Sequence, residues 1–253
     1  MAEKKLAYFL SDAHLGSLAI EDPIVHERKL VDFLDSIKDK ASAVYLLGDM
    51  FDFWFEYRLV VPKGHVRFLG KMAELTDKGV EVHFFTGNHD LWTFGYLEKE
   101  CGVVVHRKGE TMDIMGHRFF LAHGDGLNDH SLDMFLVQNC FHNRFLQFLF
   151  SILPPYLCLS IAHAWSRHNR IGDINGDYGY KGEEKEPLVQ FAKQHSAAHP
   201  DVEYYVFGHR HILLDLQLRR ARMAILGDWF SAFSYATFDG HDFKLYELGN
   251  EDN

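Results

Sequence analysis

Val80-Glu81-Val82-His83-Phe84-Phe85-Thr86-Gly87-Asn88-His89-Asp90 decides how this chain reads. Residues 80–85 make a short apolar run of strand length, rich in β-formers, and it stops in a turn of glycine, amide, imidazole and carboxylate. The same event occurs four more times. Leu6–Leu10 runs into Ser11-Asp12-Ala13-His14, and residues 43–47 run into Gly48-Asp49. Residues 119–122 run into His123-Gly124-Asp125, and residues 203–207 into Gly208-His209-Arg210-His211. Helical spacing fills the gaps between the first three runs. Residues 24–37 place Leu30, Phe33, Leu34 and Ile37 on one face, and residues 65–75 end shortly before Gly79. Strands alternating with helices predict an α/β layered fold. In open sheets of that class the C-terminal strand ends share one edge, where ligands bind. Five polar turns far apart in sequence should therefore converge. Beyond them the pattern changes: residues 212–218, 223–226, 233–238 and 243–248 are short runs parted by turns such as Asp239-Gly240, which predicts an antiparallel meander.

The converging donors are Asp12, His14, Asp49, Asn88, His123, His209 and His211. They offer carboxylate and amide oxygen and imidazole nitrogen, with no thiolate. That set suits Mn²⁺, Fe, Zn²⁺ or Co²⁺ rather than Ca²⁺. Seven donors exceed one tetrahedral ion and match two ions sharing a carboxylate, the arrangement that serves phosphoryl chemistry. The Asp12-x-His14 and His209-x-His211 spacings fit strand alternation, in which residues i and i+2 point the same way. Any one strand-end Asp or His is more often a cap than a ligand. Five such turns in order are hard to obtain by accident.

Composition narrows the class. The 253 residues carry 26 Lys+Arg against 36 Asp+Glu, for a net charge of −10. Such a chain lacks the basic face that nucleic-acid phosphates demand, which disfavours a nuclease. Cys101, Cys140 and Cys158 are odd in number and far apart, so no disulfide framework is expected and a reducing compartment is. The first residues, MAEKKLAYFLSDAH, hold too short an apolar stretch for a signal peptide, and a cytoplasmic protein is the expectation.

Taken in order, D-x-H, G-D, G-N-H-D, H-G-D and G-H-x-H resemble the motifs of the calcineurin-like metallophosphoesterases over nearly the whole chain. The resemblance implies a β-sandwich of two mixed sheets flanked by helices and a dinuclear site. It implies that Asp12, His14 and His211 hold one ion, that Asn88, His123 and His209 hold the other, and that Asp49 bridges them. His89 would act on the phosphate as charge stabiliser or proton donor, and Asp90 would orient its imidazole. Within the family the chain is most similar to the UDP-2,3-diacylglucosamine hydrolases of lipid A biosynthesis. Gly48-Asp49-Met50-Phe51-Asp52-Phe53-Trp54, His123-Gly124-Asp125, the insertion from Asn143 to Leu153-Pro154, and Leu226-Gly227-Asp228-Trp229 carry that likeness. It implies hydrolysis of a pyrophosphate to UMP and a diacylated glucosamine 1-phosphate, usually with Mn²⁺, by a peripheral protein of the Gram-negative inner membrane. Where the best-known members have Arg, this chain has His89.

Residues 127–185 are expected to form a helical cap inserted in a single domain spanning 1–253. Residues 145–166 contain no Asp, Glu, Lys or Arg. That is the length of a membrane span, but Pro154-Pro155 divides it, leaving helices of about 13 Å against a hydrocarbon core of about 30 Å. Two helices joined at the prolines are expected, the first starting near Ser131. Met134, Val137, Phe141, Phe145, Phe148 and Ile152 form one stripe, while Leu132, Leu136, Leu146, Phe150 and Leu153 lie off it. Apolar surface on more than one face fits either a buried helix pair or a cap that holds acyl chains or rests on a membrane. Arg144, Arg167 and Arg170 flank it as candidate phosphate contacts, or as ordinary solvated residues. Asp173, Asn175, Asp177 and Glu184 imitate a calcium loop, but Tyr178 stands where its turn needs glycine. Leu218-Arg219-Arg220-Ala221-Arg222 reads as a solvated hairpin turn, and Trp54, Trp92 and Trp229 read as core. Two other functions compete: a phosphoesterase of another phosphodiester or nucleotide, which the oily insertion argues against, and a non-catalytic scaffold, which has no need of a complete ligand set.

Overall fold

Each of the five apolar runs becomes a strand with its polar turn at the C-terminal end. The computed structural model describes residues 5–128, 140–141, 143–161, 179–180 and 182–248. A six-stranded sheet is built from β1 (Leu6–Leu10), β2 (Ala41–Leu47), β3 (Glu81–Phe85), β4 (Val104–His106), and two strands from the C-terminal region, Ser234–Phe238 and Phe243–Glu247. A five-stranded sheet contains β5 (Glu110–Ile114), β6 (His117–Ala122), β7 (Tyr204–Phe207), β8 (Leu213–Gln217) and β9 (Arg222–Leu226). With Ser234–Phe238 as β10 and Phe243–Glu247 as β11, the orders are β11-β10-β1-β2-β3-β4 and β5-β6-β7-β9-β8. The strands β1 to β4 run parallel, as do β6, β7 and β9.

Alternation along the strands sorts side chains into layers. Ala7 and Phe9 of β1, Tyr45 of β2, Phe119 and Leu121 of β6 and Val206 of β7 face one another between the sheets. Phe9 stacks on Tyr45 at 5.0 Å and on Phe119 at 5.7 Å between ring centroids. The opposite set, Tyr8, Leu10, Val44, Leu46 and Phe84, packs under α1 (Pro23–Ile37), α2 (Val66–Asp77) and α3 (Tyr96–Cys101). Phe120 and Tyr205 turn to the far face of the second sheet. There they meet Leu188, Val189 and Ala192 of a further helix, Pro187–Ala198. Both faces of the parallel strands are thus buried, which is why they read as continuous apolar runs. This is the sandwich expected from the sequence.

The meander differs from expectation. Two antiparallel hairpins form, but β8–β9 joins the second sheet whereas β10–β11 joins the first, where β10 pairs antiparallel with β1. The segment between β9 and β10 crosses from sheet to sheet. It starts at Gly227, whose φ of +77° suits glycine. Leu218 to Arg222 is the β8–β9 turn, with Leu218 N–H donating to Ala221 O. Trp54 and Trp229 are fully buried, as core.

The described part of the insertion contains α4 (Arg144–Ile152); Pro187–Ala198, further along the chain, is α5. Asn143 starts α4 by accepting N–H bonds from Phe145 and Leu146 at its side chain. Leu153 then turns extended before Pro154, and helix resumes over residues 155–161. The expected break at the prolines is present; the expected start near Ser131 lies outside the described residues. No residue of α4 is buried, and Phe145, Phe148 and Ile152 are each at least 60% exposed. A buried core helix pair is therefore not what α4 makes. Among the described residues no helix is long and apolar enough to cross a membrane.

Candidate metal centre

The five turns are stitched to each other by main chain. Asp12 N–H donates to Gly48 O, His14 N–H to Asp49 O, and Gly208 N–H to His123 O. His209 N–H donates to Asp12 Oδ2 at 2.9 Å, and His89 N–H to Asp49 Oδ1 at 2.8 Å. This close stitching bends the chain sharply. Asp12, His14, Asp49, His209 and His211 all have φ between 44° and 68°, a region that L-residues avoid. Such conformations cost about 1–3 kcal/mol each and cluster where function over-determines them. At Gly208 and Gly87, as at Gly48, only glycine fits. A Cβ on Gly208 would lie 2.5 Å from Asp12 Oδ2, and one on Gly87 2.7 Å from Asp49 N.

Asp12, His14 and His211 bring one ligand atom each within 4.8 Å of one another, and so do Asp49, His123 and His209. His14, Asp49 and His89 make a third such group. Asp49 belongs to two of the groups, and the carboxylate is buried. Four contacts define the centre: His211 Nε2 to Asp12 Oδ1 at 3.1 Å, His14 Nε2 to His211 Nε2 at 3.2 Å, His123 Nε2 to Asp49 Oδ2 at 3.2 Å, and His14 Nε2 to Asp49 Oδ2 at 3.9 Å. Asn88 Oδ1 and His123 Nε2 are buried and make no hydrogen bond. Buried polar atoms are normally satisfied. Two orphans beside lone-pair donors are what a cation site leaves behind in the protein part, so these residues fit divalent ions.

Outer contacts fix which nitrogen faces inward. His123 Nδ1 donates to Leu47 O at 2.8 Å, which leaves Nε2 as the lone pair. His14 Nδ1 lies 3.6 Å from Asp52 Oδ1. His89 Nδ1 donates to Asp52 O at 2.8 Å. Charge pulls the imidazoles apart. Burial, reinforced by His123, lowers the His209 pKa to about 3, and burial lowers that of His14 to about 4. Burial works against protonation of His123 and His211 too, but Asp49 and Asp12 overcome it for His123, and Asp12 for His211, so both are raised. Asp49 is held well below the usual carboxylate range, burial notwithstanding, by His123 and His89.

One sequence expectation is overturned. Asp90 does not orient the His89 ring; the Asp52 carbonyl does. Asp90 is fully buried, and its two oxygens accept four backbone N–H groups. Oδ1 takes those of Gly87 at 2.7 Å and Asp49 at 3.3 Å, and Oδ2 those of Met50 at 2.8 Å and Phe51 at 3.3 Å. Asp90 is the staple that holds the Gly87–His89 turn to the Asp49 turn. Burial, then the Asp49 charge, pushes its pKa up to about 7 against those donors. Arg144 is exposed at the first turn of α4, and Arg167 and Arg170 lie outside the described residues. So does residues 173–178 of the calcium-loop imitation. The sequence reading missed Asp52 and Phe230. Asp52 could have been found as the second carboxylate of Gly48-Asp49-Met50-Phe51-Asp52. Phe230, whose ring meets His14 at 5.9 Å and His211 at 5.3 Å, follows Leu226-Gly227-Asp228-Trp229 with no signal of its own.

A family model described as calcineurin-like phosphoesterase matches residues 7–213. The chain is similar to a UDP-2,3-diacylglucosamine hydrolase of Porphyromonas gingivalis, with 46% identity over 95% of this chain and 97% of that one. A protein of the same name from Edwardsiella ictaluri is 28% identical over 95% of this chain and 91% of that one. Among solved structures, Yfce, a phosphoesterase from E. coli, aligns over 98% of this chain and 95% of that one, at 14% identity and a TM-score of 0.46.

Proposed function

This chain belongs to the calcineurin-like phosphoesterase family, and from that premise we propose that it hydrolyses the pyrophosphate of UDP-2,3-diacylglucosamine to UMP and 2,3-diacylglucosamine 1-phosphate. The observation that carries the reading is that carboxylate and imidazole donors gather into groups at ligand spacing, in a chain whose insertion helix leaves apolar side chains exposed. A soluble nucleotide would need the first and have no use for the second.

Asp12, His14 and His211 would hold one divalent ion, and Asn88, His123 and His209 a second, with Asp49 shared. Two Mn²⁺ ions, when bound, make hydroxide accessible at neutral pH and neutralise phosphoryl charge. The residues do the rest. Asp52 and Leu47 present the imidazole nitrogens in the required tautomers. His89 donates its Nδ1 proton to a carbonyl, so a neutral ring offers only a lone pair at Nε2. To stabilise a phosphoryl oxygen, His89 must therefore be the imidazolium, which is how it takes the place that Arg fills in relatives. The sugar phosphate is a fair leaving group without a proton, so charge stabilisation is its role. Residues 127–185 act as a cap on one catalytic domain, and the exposed side chains of α4 meet the acyl chains at the cytoplasmic face of the inner membrane.

The test compares the purified, Mn²⁺-loaded protein on UDP-2,3-diacylglucosamine and on bis(p-nitrophenyl) phosphate. A strong preference for the lipid nucleotide supports the reading. Equal or better turnover of the water-soluble diester replaces it with a general phosphodiesterase, and cleavage of neither replaces it with a scaffold.

A further inference from the structure

Behind Phe230 the surface opens into a cavity of about 600 Å³, within the range of about 300–1,000 Å³ usual for small-molecule sites. Glu21, Asp22, Val25, Lys29, Phe230 and Phe233 line it. It backs directly onto the metal centre. His26, also in its wall, contacts the carbonyl of Ala13, between two donor residues, at 2.7 Å. Phe230 touches the rings of His14 and His211 edge-on. His14 also meets the ring of His89, 4.9 Å away between centroids, and the Asp52 carbonyl that holds His89 leads along the chain into the aromatic cluster that receives α4. There Phe53, Phe55 and Trp92 meet Phe150 at 6.2, 5.1 and 4.7 Å. The centre thus has two unlike flanks. One is oily; the other combines aromatic rings with charge.

We infer that the cavity behind Phe230 is the nucleoside subsite, taking the uracil and ribose of the substrate while the lipid lies on the α4 flank. The inference rests on the substrate reading of the preceding subsection. A base offers flat faces and a polar edge, and the cavity offers both complements. Phe230 and Phe233 supply ring surface. Lys29 Nζ, 3.0 Å from the Phe233 ring centroid, is a donor with no acceptor capacity, and it suits the carbonyl edge of uracil. Cytosine would set its amino group against that ammonium. Glu21 and Asp22 supply carboxylate acceptors of the kind that bind ribose hydroxyls. Asp22 is held in place because its Oδ1 caps α1, accepting the N–H groups of Ile24 and Val25, each at 3.0 Å. An acyl chain in the same cavity would strip water from three charged groups and pair with none.

The test measures inhibition of UDP-2,3-diacylglucosamine turnover by UMP and by CMP in wild type, Lys29→Met and Val25→Trp. Lys29 is exposed and Val25 is 56% exposed on α1, so both variants fold, as melting curves will verify. In wild type UMP inhibits about tenfold better than CMP, or more so. Lys29→Met loses that preference. Val25→Trp fills the cavity and raises both the substrate KM and the UMP inhibition constant about tenfold, with kcat changed far less. Wild-type inhibition constants and preference in both variants would overturn the subsite. A wild-type protein that cleaves an aryl phosphodiester yet neither turns over the lipid nucleotide nor binds UMP would overturn the substrate reading, and the subsite with it.

Discussion

Replacing Asp90 by Asn separates a staple from a catalytic partner. Each Asp90 oxygen accepts two backbone N–H groups, and the residue is fully buried. Asparagine keeps the shape but turns one acceptor into an NH₂ donor aimed at two other donors. Each buried group left unsatisfied costs about 1–3 kcal/mol, so two of them cost about 4 kcal/mol. In a chain of this size about 2–4 °C of melting temperature goes with each kcal/mol, which gives a fall of about 8–16 °C. The loosened turns carry Asp49 and Asn88, so metal affinity falls as well. Differential scanning calorimetry on metal-loaded and chelator-treated protein reads both effects. A melting temperature within about 2 °C of wild type, combined with a loss of kcat equal to that of a His89 variant, would refute the staple and restore the His89–Asp90 pair.

Other perturbations report on separate parts of the site. His89→Ala should lower kcat by about 10²–10³-fold with metal content unchanged, and His89→Arg should keep most of the activity, because guanidinium supplies the same positive charge to a phosphoryl oxygen. Gly208→Ala should weaken metal binding about tenfold or more by titration calorimetry, since its Cβ would intrude on Asp12 Oδ2. Acid should destabilise the chelator-treated protein. His14 and His209 stay neutral in the fold down to pH about 4 and about 3, whereas the unfolded chain protonates them below about 6.5, so their effect is a loss of stability as pH falls through that interval. Denaturant midpoints at pH 7 and pH 5 measure it. Phe148→Asp with Ile152→Asp should leave the melting temperature nearly unchanged, both side chains being exposed, and should abolish flotation with anionic vesicles.

What was legible in the sequence follows from which interactions are local. Leu6–Leu10 and residues 43–47 announce themselves because parallel strands buried on both faces must be apolar throughout. The candidate donors announce themselves because holding a metal ion would need particular atoms at strand ends. Strand β5 stayed hidden because Glu110, Thr111 and Asp113 interrupt its apolar pattern, and β4 because it spans only Val104–His106. The division of the C-terminal hairpins between two sheets is a long-range choice. It is made by the pairing of Ala7 with Phe238, which no local pattern encodes. Asp90 was misassigned for a related reason. Adjacency to His89 suggested a side-chain partner, while its real partners are main-chain groups 39 to 41 residues away in the Asp49 turn, together with Gly87 close by. Main-chain donors carry no sequence signature.

The central claim is that one centre, sharing Asp49 between two ions, cleaves a lipid-linked pyrophosphate. Titrating Mn²⁺ into metal-stripped wild type and Asp49→Asn, while following UMP release from UDP-2,3-diacylglucosamine, tests it most directly. The account predicts activity that rises to saturation at two ions per wild-type chain and stays at background in Asp49→Asn. Full activity with a single ion bound, or an Asp49→Asn protein as active as wild type, would contradict it.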